Sequence, residues 1–359
     1  MDLIINRAFV CVLLLSIGGF IASSIYLLSE KLIFRITSAR FMVFINTVVL
    51  LSFVIPFYFP VSISDGSEYC FTHYDLVILE GADLCSNFAA YWRSTFPFTD
   101  CIDHIWFVGV LLFFITKAIL YVYTISRIKG KSFQIESDIW LEIFKNIRKE
   151  QQKKDVLLVG SNDTQSPFTV GIKQKYIVIP AIMINTLDAE EIDFILRHEY
   201  CHALRNDVAR KVIILVFSCL NWFNPLYFLL KENLSAWIEI ACDEAVTENF
   251  DERQRKKYAS LIIKSLELEN TAHRSHFYCV YYSETSIKNY KRRILEVLRG
   301  KKNVAAYGKA VAISLAVISL VCSNVVAKEA DIPVNMFFSN QAVIFDANDF
   351  EIVSLPAEE

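Results

Sequence analysis

Residues 197–207 read RHEYCHALRND, and within them His198, Glu199 and His202 form a His-Glu-x-x-His pattern. Histidines four apart lie on one face of a helix, so their imidazoles can converge on a single zinc ion. Glu199 sits one position round and can reach a water held by that metal, which makes it the candidate general base. The helix has a start signal as well: Asp188 is a good N-cap, and Glu191 three residues on completes a capping box. The bland alternative is two surface histidines flanking a glutamate. A chain of this length matches the pattern by chance only about once in a hundred.

A hydrolytic zinc site needs a third protein ligand and an open position for water. Glu239-Ile240-Ala241-Cys242-Asp243 supplies a candidate, on a second helical stretch from Glu232 to Asn249. Glu239 and Asp243 are four apart on one face. We read Glu239 as the ligand and Asp243 as the group that holds a histidine imidazole in place. A Glu/Asp pair alone would be an ordinary solvated helix face; beside the histidine pair the ligand reading is the better one. Asp207, five residues after His202, is a second candidate for holding an imidazole. Arg205 can steady an oxyanion or pair with Asp207, and the pairing is favoured. Cys201 and Cys242, beside the ligand faces, read as core packing.

Working outward, 54% of the 359 residues are hydrophobic and 21% are charged, an excess that points to a membrane protein. A net charge of −3 gives no sign of direct nucleic-acid binding. Four stretches are apolar enough to span a bilayer: Ala8–Leu28, Phe41–Pro60, Ile105–Ile125 and about 310–327. Basic residues follow span one (Lys31, Arg35, Arg40), follow span three (Arg127, Lys129, Lys131) and precede span four (Lys291, Arg292, Arg293, Arg299). The stretch between spans two and three carries seven acidic residues and one arginine, and the tail after span four is acidic too. Positive loops stay in the cytoplasm. The expected orientation therefore puts the N-terminus, residues 61–104 and the tail outside, with residues 29–40 and 126–305 inside, in a plasma membrane.

The inner segment is long enough for a domain. It opens with a helical pattern from Ile135 to Lys149, then two strand-like runs, Val156–Val159 and Tyr176–Ile179, with Gly160–Asp163 marking a turn. Residues 212–230 (VIILVFSCLNWFNPLYFLL) are nearly a span. If they crossed the bilayer, His198 and Glu239 would be separated by it; Asn221, Asn224 and Pro225 break the run. A helical hairpin that dips into or lies on the membrane is expected. Of nine cysteines none forms a Cys-x-x-Cys pair. Cys70, Cys85 and Cys101 share the outer loop, where two of them pair if the space is oxidising, three free thiols being the equal alternative.

The chain resembles the BlaR/MecR family of signal-transducing membrane metalloproteases. The resemblance rests on SPFTVG (Ser166–Gly171) with IVIP (Ile177–Pro180), RHEYCHALRND, NWFNPL (Asn221–Leu226) and EIACDEAV (Glu239–Val246). It implies a polytopic, mainly α fold with four transmembrane helices and an α+β gluzincin-like metalloprotease domain. The implied layout is 1–125 for the first three spans, 126–305 for the protease domain, 306–327 for the fourth span and 328–359 for a short outer tail. It implies Zn²⁺ held by His198, His202 and Glu239, Glu199 as catalytic base, and an edge strand that cradles substrate through Ser166, Pro167, Phe168, Thr169, Val170 and Gly171. The implied partner is a BlaI/MecI-like transcriptional repressor, cleaved as substrate, with membrane lipid as the other contact and a homodimer left open. Self-cleavage is also implied, with Phe277–Arg293 the weakly marked place. Family sensors carry a penicillin-binding domain after the fourth span. Here 32 residues follow, Lys328–Glu359, without a Ser-x-x-Lys. They hold strand-like pieces at Gln341–Phe345 and Glu351–Leu355, so the signal is expected from elsewhere or through the outer loop. Competing readings are an HtpX or CAAX-type membrane protease and a non-proteolytic transmembrane transducer.

Overall fold

A computed structural model describes residues 2–54, 101–152, 155–271 and 287–300. The chain begins with a long apolar helix α1 (Asp2–Ile36) that turns at Thr37-Ser38 into α2 (Ala39–Leu51). Helix α3 (Ile102–Lys131) follows, with apolar side chains such as Leu112, Ile119 and Val122 about 60% exposed. Side chains of that kind, left bare along a whole helix, suit lipid rather than water. Two windows, Leu15–Ile36 and Ile102–Ile128, are long and apolar enough to cross a membrane. They overlap the first and third expected spans.

Two expected segments meet the described residues here. Through residues 29–36, expected on the cytoplasmic side, α1 continues as helix and leaves a two-residue connection to α2. The continuation is packed and paired: Ile33 and Phe34 are buried, and Glu30 accepts hydrogen bonds from Asn233 and Arg292. Of the second expected span, Phe41 to Pro60, the described residues include α2, an apolar helix of 13 residues, and the turn at 52–54. Residues 55–60, the loop to residue 100 with Cys70 and Cys85, the fourth span and the tail strands lie outside the described residues.

The domain that carries the motif is built on a small sheet: β1 (Ser132–Phe133), β2 (Val156–Ser161), β3 (Phe168–Val170) and β4 (Lys175–Pro180), in the order β1-β2-β4-β3. β2 and β4 are parallel, and β3 runs antiparallel along β4 with Thr169 opposite Ile177. β3 therefore lies at the edge of the described sheet. Alternation sends Phe168 and Val170 to one face, with Val178 and Ile128, and Thr169 to the other, with Ile177. Gly160 and Ser161, expected in a turn, prolong β2 instead, because Phe133 and Ser132 pair with them.

Helix α4 (Asp138–Glu150) buries Trp140, Phe144 and Ile147 on one face. A short α5 (Ala181–Ile184) leads to α6 (Ala189–Arg205), the motif helix. Both halves of its capping box form, at 2.9 and 3.1 Å. Its far end stops at Asn206, which has φ of 55°, and α7 (Asp207–Leu220) begins at once. Asparagine tolerates that left-handed conformation. The buried Lys175 ammonium donates to Asn206 Oδ1 and to the Ala203 carbonyl, a cation at the negative end of α6. The turn at Asn221–Asn224 leads into α8 (Pro225–Val246), where Pro225 fills a first-turn position and Asn224 accepts from the Leu226 and Tyr227 amides. α7 and α8 thus form the expected hairpin. Helices α9 (Glu252–Thr271) and α10 (Ile287–Arg299) close the domain. The stretch Phe277–Arg293, the marked place for self-cleavage, is helical from Ile287 onward; residues 277–286 lie outside the described ones.

The hairpin tip packs on α3. The Trp106 indole donates to the Leu220 carbonyl at 3.0 Å, and Trp222 donates to the Trp106 carbonyl at 3.2 Å. Gly109 is what lets the two approach, since a methyl group there would overlap the Trp222 indole. Gly109→Leu should destabilise the detergent-solubilised chain by about 1–3 kcal/mol, the usual cost of overpacking. Gly130→Ala, which meets nothing within 4 Å, should not. Unchanged thermal unfolding of Gly109→Leu would mean that the tip does not rest on α3.

Candidate metal centre

His198 and His202 project from one face of α6 toward Glu239 on α8. The two Nε2 atoms are 3.2 Å apart. Glu239 Oε2 lies 3.4 Å from His198 Nε2, and Oε1 lies 3.7 Å from His202 Nε2. These atoms could hold one metal ion. Two nitrogens each ~2.0–2.1 Å from a tetrahedral zinc sit ~3.3 Å from one another, so the donor set has the right spacing as well as the right chemistry.

The opposite ring nitrogens are engaged. His202 Nδ1 is 3.0 Å from Asp207 Oδ2. His198 Nδ1 is 3.1 Å from Asp243 Oδ1 and 2.9 Å from the Tyr258 hydroxyl, which itself donates to Asp243 at 2.7 Å. A carboxylate on Nδ1–H fixes the tautomer that leaves the Nε2 lone pair facing the metal position. Asp207 and Asp243 are each about 1% exposed, and both are neutralised by arginines. Arg210 reaches Asp207 at 2.6 Å, while Arg205 stands further off at 3.8 Å. Arg205 pairs with Asp207 as favoured, but it is the looser of the two partners. Cys242 is fully buried, with Sγ 3.4 Å from His202 Nδ1, and packs under the ring.

Glu199 shares its wall with the edge strand. Thr169 Oγ1 is 2.9 Å from Glu199 Oε2 and 2.8 Å from the Glu199 carbonyl, so the β3 backbone runs beside this carboxylate. Ser166, Pro167 and Thr169 line the same cleft, about 130 Å³ in volume, as the two histidines, Glu199 and Glu239. Phe168 and Val170 face the opposite side of the sheet, and Gly171, at φ of 96°, turns the chain toward β4.

Three cleft residues escaped the sequence reading: Tyr258 on α9, Arg293 on α10, and Lys211, whose ammonium is 3.6 Å from Glu239. Arg293 donates to both Asp243 oxygens, at 2.7 and 2.9 Å. Tyr258 and Arg293 lie 15 and 50 residues beyond Asp243 with no spacing rule to link them.

The histidines and Glu239 shift one another's protonation. Burial disfavours a charge on His198, but the hydrogen bonds its ring donates to Asp243 and Glu239 outweigh it and push its pKa up to about 9. At His202 burial is likewise overcome by Glu239 and Asp207, and its pKa rises to about 10. Burial alone would raise the Glu239 carboxyl; the two histidines and Lys211 hold it well below the usual range instead.

Comparison with known proteins places this geometry in context. The family description BlaR1 peptidase M56 matches residues 10–297, most of the chain. The chain is similar to the regulatory protein BlaR1 of Bacillus licheniformis, 29% identical over 196 residues, which is 54% of this chain and 32% of that protein. It is 28% identical over 164 residues to the methicillin resistance mecR1 protein of Staphylococcus aureus, 45% of this chain and 27% of that protein. It is also 28% identical over 173 residues to the regulatory protein BlaR1 of Staphylococcus aureus, 46% of this chain and 29% of that protein. The matched region thus covers about a third or less of these curated relatives.

Raised histidine pKa values stabilise the metal-free fold fully below about pH 6.5, and that contribution is lost as pH climbs through about 9 and 10. A metal needs the same imidazoles neutral, so it competes with protons. Zinc uptake at pH 7 should release protons, and apparent affinity should climb between pH 6 and 9. Calorimetric titration in two buffers of different ionisation enthalpy reads this directly. Equal heats in both would show that the imidazoles are already neutral.

Proposed function

The chain belongs to the BlaR1 peptidase M56 family, and from that premise we propose that it is a membrane-embedded regulatory zinc endopeptidase that cuts a cytoplasmic protein. The observation that carries this reading is the near-tetrahedral spacing of His198 Nε2, His202 Nε2 and Glu239 beside Glu199 and an edge strand. His198, His202 and Glu239 would hold the metal. Asp243 and Asp207 would accept the Nδ1 protons and keep the rings turned. Bound zinc would supply Lewis acidity toward the scissile carbonyl and the attacking water. Glu199 would take a proton from that water and pass it to the departing amide nitrogen, and Thr169 would hold the carboxylate in line. The backbone of Ser166–Gly171 would pair with an extended substrate segment, a common way to grip a peptide.

The remaining parts of the proposal follow from charge and resemblance. Four spans with the basic flanks inside would set the catalytic domain in the cytoplasm, and the α7–α8 hairpin would keep the centre near the lipid. The family resemblance favours a BlaI/MecI-like repressor as the substrate, and the relatives' names, regulatory protein and methicillin resistance protein, agree with a regulatory role. The chain itself is a second candidate substrate.

The test is an immunoblot of the tagged chain in membranes with a co-expressed winged-helix repressor, wild type against Glu199→Gln. Removing a general base costs about 10²–10⁴-fold in rate. Repressor fragments should appear with the wild type and vanish with Glu199→Gln, while a Glu199→Gln sample that cleaves at the same rate would overturn the assignment.

A further inference from the structure

Each imidazole of the centre is backed by an aspartate, and each aspartate by an arginine, but the two relays are built differently. On the His202 side the arginine is local: Arg210 stands three residues from Asp207 on the same helix. On the His198 side it is imported. Arg293 arrives from α10, 50 residues past Asp243, and its Nε and Nη2 form a two-pronged grip on that carboxylate. Its Nη1 also lies 3.5 Å from Glu239 Oε2. Once the imidazoles are neutral, Arg293 is the cation bonded to the buried Asp243. Arginine's planar fork fixes the carboxylate plane as well as its charge, which a lysine cannot do.

The preceding residue points elsewhere. Arg292 Nη2 is 3.1 Å from Glu30 Oε1 near the inner end of α1, and its guanidinium lies 3.8 Å from the centre of the buried Trp237 ring. Trp237 is two residues before Glu239 on α8. Glu30 is held a second time by the Asn233 amide of α8 at 2.9 Å. α10 therefore sets one arginine into the metal centre and the next onto the first apolar helix, and two adjacent residues cannot be displaced independently.

We propose that Arg293 is a positioning residue of the metal centre and that the Arg292–Glu30 ion pair tethers it to the first membrane helix, so that metal binding depends on how α1 sits against α10. This rests on the reading that His198, His202 and Glu239 hold the metal. A shift of α1 that strains Glu30 would pull on α10, loosen the grip on Asp243 and let the His198 ring turn.

The test uses the full-length chain in detergent, with zinc retention measured against a graded chelator for variants shown by thermal unfolding to be folded. Arg293→Ala should lose about 10–100-fold in zinc affinity, the usual cost of removing support behind a ligand. Arg293→Lys should recover only part of it. Glu30→Gln and Arg292→Gln, both outside the cleft, should each weaken zinc several-fold, and the double variant should be no weaker than the worse single one. Wild-type retention in Arg293→Ala would overturn the positioning role. Unchanged affinity in Glu30→Gln, or full additivity in the double variant, would overturn the tether. His198→Ala separates the two levels: if it too keeps zinc like the wild type, the ligand assignment itself falls.

Discussion

The structure depends on burying carboxylates behind histidines. Asp207 and Asp243 are almost wholly excluded from water, and a buried charge is tolerable only when it is paired and hydrogen-bonded. Each therefore needs its imidazole and its arginine, which come from α6, α7 and α10, and α9 adds the Tyr258 hydroxyl to Asp243. The requirement fixes where these helices sit relative to α8. It also gives the ring nitrogens no choice of direction, so both Nε2 atoms face Glu239. The centre is held by its surroundings more than by the motif helix alone.

Much of this was legible in the sequence because it is local. His198, Glu199 and His202 are within one turn and a half, the Asp188–Glu191 capping box spans three residues, and Glu239 and Asp243 share a helix face. The apolar runs Val156–Val159 and Tyr176–Ile179 mark two strands that pair, the edge strand at Ser166–Gly171 came from the family resemblance, and polar breaks in 212–230 marked the hairpin. What the sequence hid is non-local. Nothing in the residues around Tyr258 or Arg293 announces a bond to Asp243, since the link is made by packing α9 and α10 against α8. The overlong α1 was missed because Glu30, Lys31 and Arg35 look like a loop until the partners of Glu30 are known. Gly160 reads as part of a turn but lies in β2, because a glycine beneath an aromatic ring looks the same in sequence as a glycine in a bend.

The membrane-facing parts and the centre share elements rather than merely adjoining. α8 carries Tyr227 and Leu230 in the cluster with α1 and α2, then Trp237, then Glu239 two residues later. One helix thus serves as the wall of the apolar bundle and the source of a candidate ligand. α7 similarly runs from Asp207, under His202, to Leu220, against Trp106. Rearrangement among the apolar helices has short, stiff routes to the cleft.

Asn206 is the most economical of these routes, a single left-handed residue between the helix that carries both histidines and the helix that enters the hairpin. Asp207 follows His202 by five positions, and the bend between them is what swings the aspartate back beneath the ring. An inserted or deleted residue here would rotate one helix about 100° relative to the other and carry the carboxylate away from Nδ1. The joint can therefore vary in chemistry only as far as a positive φ allows, and it cannot vary in length. Among homologous chains, gaps in alignment should collect in the surface connections and be absent at this position.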